Sequence, residues 1–179
     1  MRPVAAHEPS PKLLSADALA RIEREAAKFP PERRQSAVMA ALQIAQLEHG
    51  WLRKELIEEV AALLGMPAIA VYEVASFYAM YHLAPVGRHK LTVCTNLPCA
   101  LSGATAAAAH LRRRLGIGFG ETTADGEFTL KEGECLGACG DAPVLLVDNH
   151  RMCSFMSDDK VDALIDELKA PAPPAAADR

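Results

Sequence analysis

Four of the five cysteines in this sequence fall in two close pairs, Cys94 with Cys99 (C-x4-C) and Cys135 with Cys139 (C-x3-C). Thiolates grouped in this way bind soft metals, either a structural zinc ion or an iron–sulfur cluster. A dithiol redox enzyme would use C-x-x-C, and neither spacing is that. Gly133, Gly137 and Gly140 crowd the second pair, and Gly103 follows the first. Glycine lets the backbone come close to an anionic centre and turn its N–H groups toward it. No Lys, Arg or Glu lies between the members of either pair. Asn96 is placed to cap a helix entered through Pro98 and Cys99, whose positive end would then favour ionised thiols. These features favour iron–sulfur, and zinc stays open. Cys153 sits among Met152, Phe155 and Met156 and reads as core filler outside both pairs.

The elements that must position these thiols are written in the hydrophobic pattern. Lys90 to Cys94 alternates, with Leu91 and Val93 on one side, and predicts a strand that delivers Cys94 at its end. Residues 99 to 115 predict a helix with Leu101, Ala104, Ala108, Leu111 and Leu115 on one face and Arg112 to Arg114 in its last turn. Glu127 to Leu130 reads as a strand after the Asp125-Gly126 turn, and Val144 to Val147 as a short apolar strand. Asp148-Asn149 should turn the chain into a partner strand near Met152. A helix from Asp158 to Lys169 follows, with Val161, Leu164, Ile165 and Leu168 at helical spacing. Strand, helix, three strands and helix is the order of a small thioredoxin-like α/β layer.

The chain before Pro85 reads as all-helical. Helices are expected over Ser15 to Lys28, stopped by Pro30-Pro31, and over Glu32 to His49, closed by Gly50. A third covers Arg53 to Leu64, with Leu56, Ile57, Val60, Leu63 and Leu64 on one face, and a fourth about Pro67 to Met80. Four segments result: a flexible lead-in (1–14), a helical domain (15–84), an α/β domain (85–170) and a loose tail (171–179). The fold class is therefore α+β, an N-terminal helical bundle followed by a thioredoxin-like α/β domain.

Composition narrows the function. A chain that is 50% hydrophobic and 23% charged has the material for a buried core, which excludes a wholly disordered chain. A net charge of −4 with no basic block speaks against nucleic-acid binding. The opening MRPVAAHEPSPKLLS lacks an apolar core of signal-peptide length, so a cytoplasmic protein without disulfides is expected. From Val60 to Tyr81 the only charged residue is Glu73, a run nearly long enough to span a bilayer. Gly65 and Pro67 interrupt it, so two short buried helices are expected and no direct membrane insertion.

CTNLPCALSGA (94–104) followed by ECLGACGDAPVLLVDN (134–149) resembles the [2Fe–2S] subunit of NADH:quinone oxidoreductases, the 24 kDa or E-type subunit of respiratory complex I. Relatives of that subunit occur in NAD-linked hydrogenases and formate dehydrogenases. The segment GIGFGETTADGEFTLKEGECLGACGDAPVLL (116–146) is similar to the complex I branch in particular, and ALQIAQLEHGWL (41–52) and LLGMPAIAVYEVASFYAMY (63–81) resemble its N-terminal domain. The resemblance runs from about residue 15 to 170. It implies that Cys94, Cys99, Cys135 and Cys139 each give one thiolate to a [2Fe–2S] cluster, held in a thioredoxin-like fold. It further implies single-electron exchange with FMN on a partner flavoprotein subunit, which would also bind NADH. The subunit would belong to the peripheral arm of complex I, at the cytoplasmic side of the inner membrane, with its cluster beside the main electron path.

No complete active site is expected on this chain alone. Gly116, Gly118 and Gly120 give G-x-G-x-G, but after a helix and not between strand and helix, so they read as a helix end and a turn. The six histidines are scattered and read as surface or capping residues. A helix-turn-helix outline over Glu55 to Tyr81 lacks what DNA needs, because residues 68 to 81 contain no Lys, Arg, Asn or Gln. Phe77, Tyr78, Met80 and Tyr81 read instead as a surface for a partner subunit. The remaining rival is a zinc-stapled scaffold with no redox role.

Overall fold

The computed structural model describes residues 12–170. Residues 1–11, most of the expected lead-in with His7, and the expected tail 171–179 lie outside the described residues. The chain divides into two compact units after Pro85.

The first unit is helical. Helix α1 (Ala16–Ala26) starts where the Ser15 hydroxyl accepts from the Ala18 N–H at 3.1 Å, a cap worth about 1 kcal/mol. Glu48 in turn accepts from the Ser15 N–H and hydroxyl, and Glu59 from the Leu13 N–H at 2.8 Å. Leu14 is buried, so residues 13 and 14 are already anchored and the expected lead-in is shorter than drawn. The helix expected over 32–49 is two pieces. Pro31–Ala37 is a 3-10 helix in which Arg33 leaves helical geometry (φ −115°, ψ 17°), and α2 (Val38–His49) follows. Arg34, next to that kink, pairs with Glu23 and donates to the Leu63 carbonyl, ties that a continuous helix would have to satisfy from a different angle.

Helices α3 (Lys54–Leu64) and α4 (Ala68–Phe77) are separated by Gly65 in the left-handed conformation (φ 65°). They are bent by 118°, and among the described residues no single helix is long and apolar enough to cross a membrane. Ile22, Leu42, Leu52, Leu56, Val60 and Val71 fill the core. Helix α4 ends at Phe77 because Tyr78 turns to extended backbone (φ −90°, ψ 122°), three residues before the expected end. That turn sends Tyr81 inward, where its hydroxyl donates to the Met39 carbonyl at 2.8 Å. Of the four residues expected to face a partner, only Phe77 and Tyr78 are exposed; Tyr81 is core and Met80 packs against it.

The second unit is an α/β layer. Its strands β1 (His89–Cys94), β2 (Phe128–Gly133), β3 (Leu145–Val147) and β4 (Arg151–Cys153) form one sheet in the order β2-β1-β3-β4. The β1–β2 pair is parallel and the other two are antiparallel. Between β1 and β2 run α5 (Leu97–Leu101) and α6 (Ala104–Leu115), and α7 (Asp158–Lys169) closes the unit. Leu91, Val93, Phe128, Leu130, Leu145 and Val147 are buried in one cluster with Leu111 of α6 and Val161, Leu164 and Ile165 of α7.

Two departures from the sequence reading matter for the thiols. The helix expected over 99–115 breaks at Gly103 (φ 100°), so Cys99 rides on its own short helix. Strand β2 runs on to Gly133, which pairs in register with Cys94. The glycines after α6 behave as expected: Gly116 (φ 70°) ends the helix and the Gly118 N–H donates to Glu121. The histidines do not all sit at the surface. His82 is buried, while His89 and His110 are tied to Asp148 at 2.9 Å and Asp162 at 3.0 Å.

Candidate metal centre

The end of the parallel pair brings the thiols together. Cys94 is the last residue of β1, and its N–H donates to the Val144 carbonyl at 3.1 Å. The Thr95 N–H donates to the Gly133 carbonyl at 3.0 Å, so the parallel ladder holds up to the point where both chains leave the sheet. From there the segment 134–142 folds back over the first pair. Leu136, Ala138 and Ala142 pack against Cys94, Cys99, Ala104 and Val144 in a small apolar cluster of their own. The Cys94 sulfur lies 3.8 Å from the Glu134 carbonyl oxygen.

The pairs differ in exposure. Cys94 and Cys99 are each 1% exposed. Cys135 and Cys139 are exposed, Cys139 opening a single 3-10 turn (Cys139–Asp141). Burial alone would raise the Cys94 thiol, but N–H groups of Asn96 and Leu136 and the Cys99 side chain bring it below the ordinary thiol value. Burial pushes Cys99 up, and its hydrogen bond to Cys94 adds to that; charge on Cys139 acts in the same direction.

The source of the N–H groups differs from the sequence reading. Asn96 occupies the cap position of α5, but its side chain makes no capping hydrogen bond. With α5 only five residues long, what favours a thiolate is the separate N–H groups of Asn96 and Leu136 rather than a helix end. Leu136, on the facing loop, is the contributor that sequence reasoning missed. Its signal was the glycine at 137, whose φ of 73° turns the loop back on itself.

This donor set fits a [2Fe–2S] cluster. The thiols come as two pairs, one from the end of β1 and α5 and one from the segment 134–142, with backbone N–H groups near the Cys94 sulfur and no charged residue within either pair. Cys153 lies elsewhere, on β4 opposite Leu145, half-buried against the sheet core.

The outer rim carries exposed apolar side chains beside the exposed carboxylates of Glu134 and Asp141. Leu97 and Leu101 stand on α5 either side of Cys99 and are 68% and 80% exposed. Phe155, also exposed, donates its N–H to the carbonyl of Asp141, two residues after Cys139.

A thioredoxin-like layer with two cysteine pairs at one end of its parallel strands is a framework suited to an iron–sulfur protein. The chain belongs to the thioredoxin-like [2Fe–2S] ferredoxin family, whose pattern matches residues 22–169. It is 47% identical over 151 residues to the second E-type subunit of the NADH-quinone oxidoreductase of Rhizobium meliloti, covering 83% of this chain and 87% of that one. With subunit 2 of the NADH-quinone oxidoreductase of Thermus thermophilus it shares 42% over 149 residues, covering 83% and 82%. Among solved structures, the NAD+-reducing [NiFe]-hydrogenase in the H2-reduced state superposes with a TM-score of 0.64 at 24% identity. That match covers 74% of this chain and 22% of the hydrogenase chain, so it is a likeness of fold, over about a fifth of the larger chain.

Proposed function

We propose that this chain is the electron-carrying subunit of an NADH:quinone oxidoreductase, with Cys94, Cys99, Cys135 and Cys139 as the four ligands of its [2Fe–2S] cluster. The observation that supports the reading is the fold of 134–142 over Cys94 and Cys99, with Leu136 and Ala138, the chain neighbours of Cys135 and Cys139, packed against that pair. The similarity to the Rhizobium and Thermus subunits over four fifths of the chain supports the assignment to that complex. When bound, a [2Fe–2S] cluster takes up and gives back one electron at a time.

The chain's own residues govern that exchange. The N–H groups of Asn96 and Leu136 stabilise negative charge on the Cys94 sulfur, and Val144 and Ala104 keep water from the inner pair. Hydrogen bonding and burial of this kind are the levers by which a protein tunes the potential of its centre. NADH and FMN bind on a partner flavoprotein subunit within the peripheral arm of the complex. Leu97, Leu101 and Phe155 form the apolar part of the rim that docks there, with the exposed Cys135 and Cys139 between this chain's core and the partner.

The test uses protein purified without oxygen. Iron, acid-labile sulfide and the visible spectrum are measured before and after dithionite, then with NADH in the presence and absence of the flavoprotein. Two irons and two sulfides per chain are expected, with bleaching by NADH only when the partner is present. Zinc without sulfide would remove the redox reading. Flavin retained by the isolated chain, or NADH oxidation by it, would contradict the division of labour.

A further inference from the structure

We propose that the chain takes up a preformed [2Fe–2S] cluster through the exposed Cys135 and Cys139, and that the buried Cys94 and Cys99 complete its ligation afterwards. This rests on the four-cysteine reading above. An incoming cluster arrives wrapped in the thiolates of its donor, and such a group is too bulky to reach sulfurs that are each 1% exposed. Leu136 and Ala138 cover Cys94 and Cys99 on the loop side, and Ala104 and Val144 from below. Cys135 and Cys139 lie open.

Access follows the same division. A Cβ built on Gly137 or Gly140 would meet nothing within 4 Å, so the outer side of the turn around Cys139 is open to an incoming group. Cys94, in contrast, is fixed by the strand ladder and by its N–H bond to Val144. The outer pair is therefore open to a cluster from solvent, and the inner pair can only receive one.

The chemistry is ligand exchange. At each step one iron–sulfur bond to a cysteine of this chain forms and one bond to a donor thiolate breaks. The cysteine's proton passes to the departing thiolate. No electron moves, and the bridging sulfides stay with the irons. Two exchanges at Cys135 and Cys139 anchor the cluster while two donor thiolates remain. Cys94 and Cys99 then take the places of those two, each forming one iron–sulfur bond as one bond to a donor thiolate breaks.

The probe is a [2Fe–2S] cluster carried by glutathione thiolates, mixed rapidly with the unloaded full chain and followed by visible circular dichroism. The Cys94→Ser/Cys99→Ser chain is expected to capture the cluster within about threefold of the unaltered rate, then to stall with glutathione still bound by native mass spectrometry. The Cys135→Ser/Cys139→Ser chain is expected to lose the fast phase by about tenfold or more. Equal slowing of both, or loss of capture only in the first, overturns the order. A measurement free of substitution guards against misfolded variants. Brief alkylation of the unaltered, unloaded chain should tag Cys135 and Cys139 ahead of Cys94 and Cys99 and abolish fast uptake, whereas equal tagging overturns the proposal. If the unaltered chain gains no cluster signal at all, the four-cysteine reading itself falls, an outcome distinct from uptake in the wrong order.

Discussion

Gly133 stands opposite Cys94 at the end of the parallel β1–β2 pair, and this one register fixes where both thiol-bearing loops begin. A Cβ at Gly133 would lie 2.7 Å from the Cγ2 methyl of Thr92 and 3.5 Å from Leu136. The strands can therefore close on each other here only around a glycine. Leu136, whose N–H serves the Cys94 sulfur, is carried directly on the far side of that contact.

Gly133→Ala should loosen the centre. The added methyl overpacks a β-branched neighbour, a class of change that costs about 1–3 kcal/mol. The expected result is a lower melting temperature and faster loss of visible absorbance in air. Thr92→Ala added to Gly133→Ala should restore most of both. A single variant that behaves like the unaltered chain would mean the strands part at this point more easily than their register implies.

The elements were legible where pattern and punctuation agreed. Gly65 and Pro67 marked the break between α3 and α4, and Leu91 and Val93 announced β1 with Cys94 at its end. The thiol pairs were visible as spacing alone. Their unequal exposure was not, because it depends on a loop whose packing partners, Val144 and Ala104, are distant in sequence. The end of β2 was missed because Lys131, Glu132 and Gly133 break the apolar alternation; their pairing is enforced by β1 rather than by their own side chains. Asn96 was misjudged for the opposite reason. A good capping residue in the right place has no obligation to cap a five-residue helix.

Cys135→Ser should lose or destabilise the cluster, while Cys153→Ser should leave visible absorbance intact. Cys135 lies in the loop that closes over the inner pair, and Cys153 lies on β4, paired with Leu145. Iron and sulfide per chain with the visible spectrum make the check. Equal bleaching by the two substitutions would sink the assignment of ligands.

Asp148 links stability to pH. It sits in the turn after β3 at φ 52°, accepts from the Lys90 N–H at 2.8 Å and meets the His89 ring at 2.9 Å. Burial would raise its carboxyl, but the Lys90 N–H and the His89 ring, helped by the Lys90 charge, hold it below the ordinary 3.8. A depressed folded value means that the unfolded chain binds the proton more readily. The contribution is thus complete above the unfolded value and is lost as pH falls through 3.8 and below. Asn tolerates the left-handed turn, so Asp148→Asn isolates the charge. Urea unfolding should find the variant about 1 kcal/mol less stable at pH 6, a figure kept small by solvent screening. The gap should narrow as pH falls below 3.8. A gap that is constant with pH would assign the loss to the turn and not to the ion pairs.

Tyr81 and Phe77 separate what the end of α4 does for the fold from what it offers a partner. Tyr81 is 5% exposed with its hydroxyl on the Met39 carbonyl, and Phe77 is 80% exposed. Tyr81→Phe removes the hydroxyl's bond to the Met39 carbonyl, a loss of about 0.5–1.5 kcal/mol. Phe77→Ala removes a ring already in solvent and should change stability by no more than about 0.5 kcal/mol. Burial, with Tyr78 adding to it, pushes the Tyr81 hydroxyl from 10.0 up to about 12. Because that folded value is raised, the stability it reflects is intact below pH 10 and drains as pH climbs toward 12. Unfolding followed from pH 9 to 11.5 should therefore fall more steeply in the unaltered chain than in Tyr81→Phe. Parallel curves would mean that Tyr81 ionises as freely in the folded chain as in the unfolded one, and its place in the core would have to be given up.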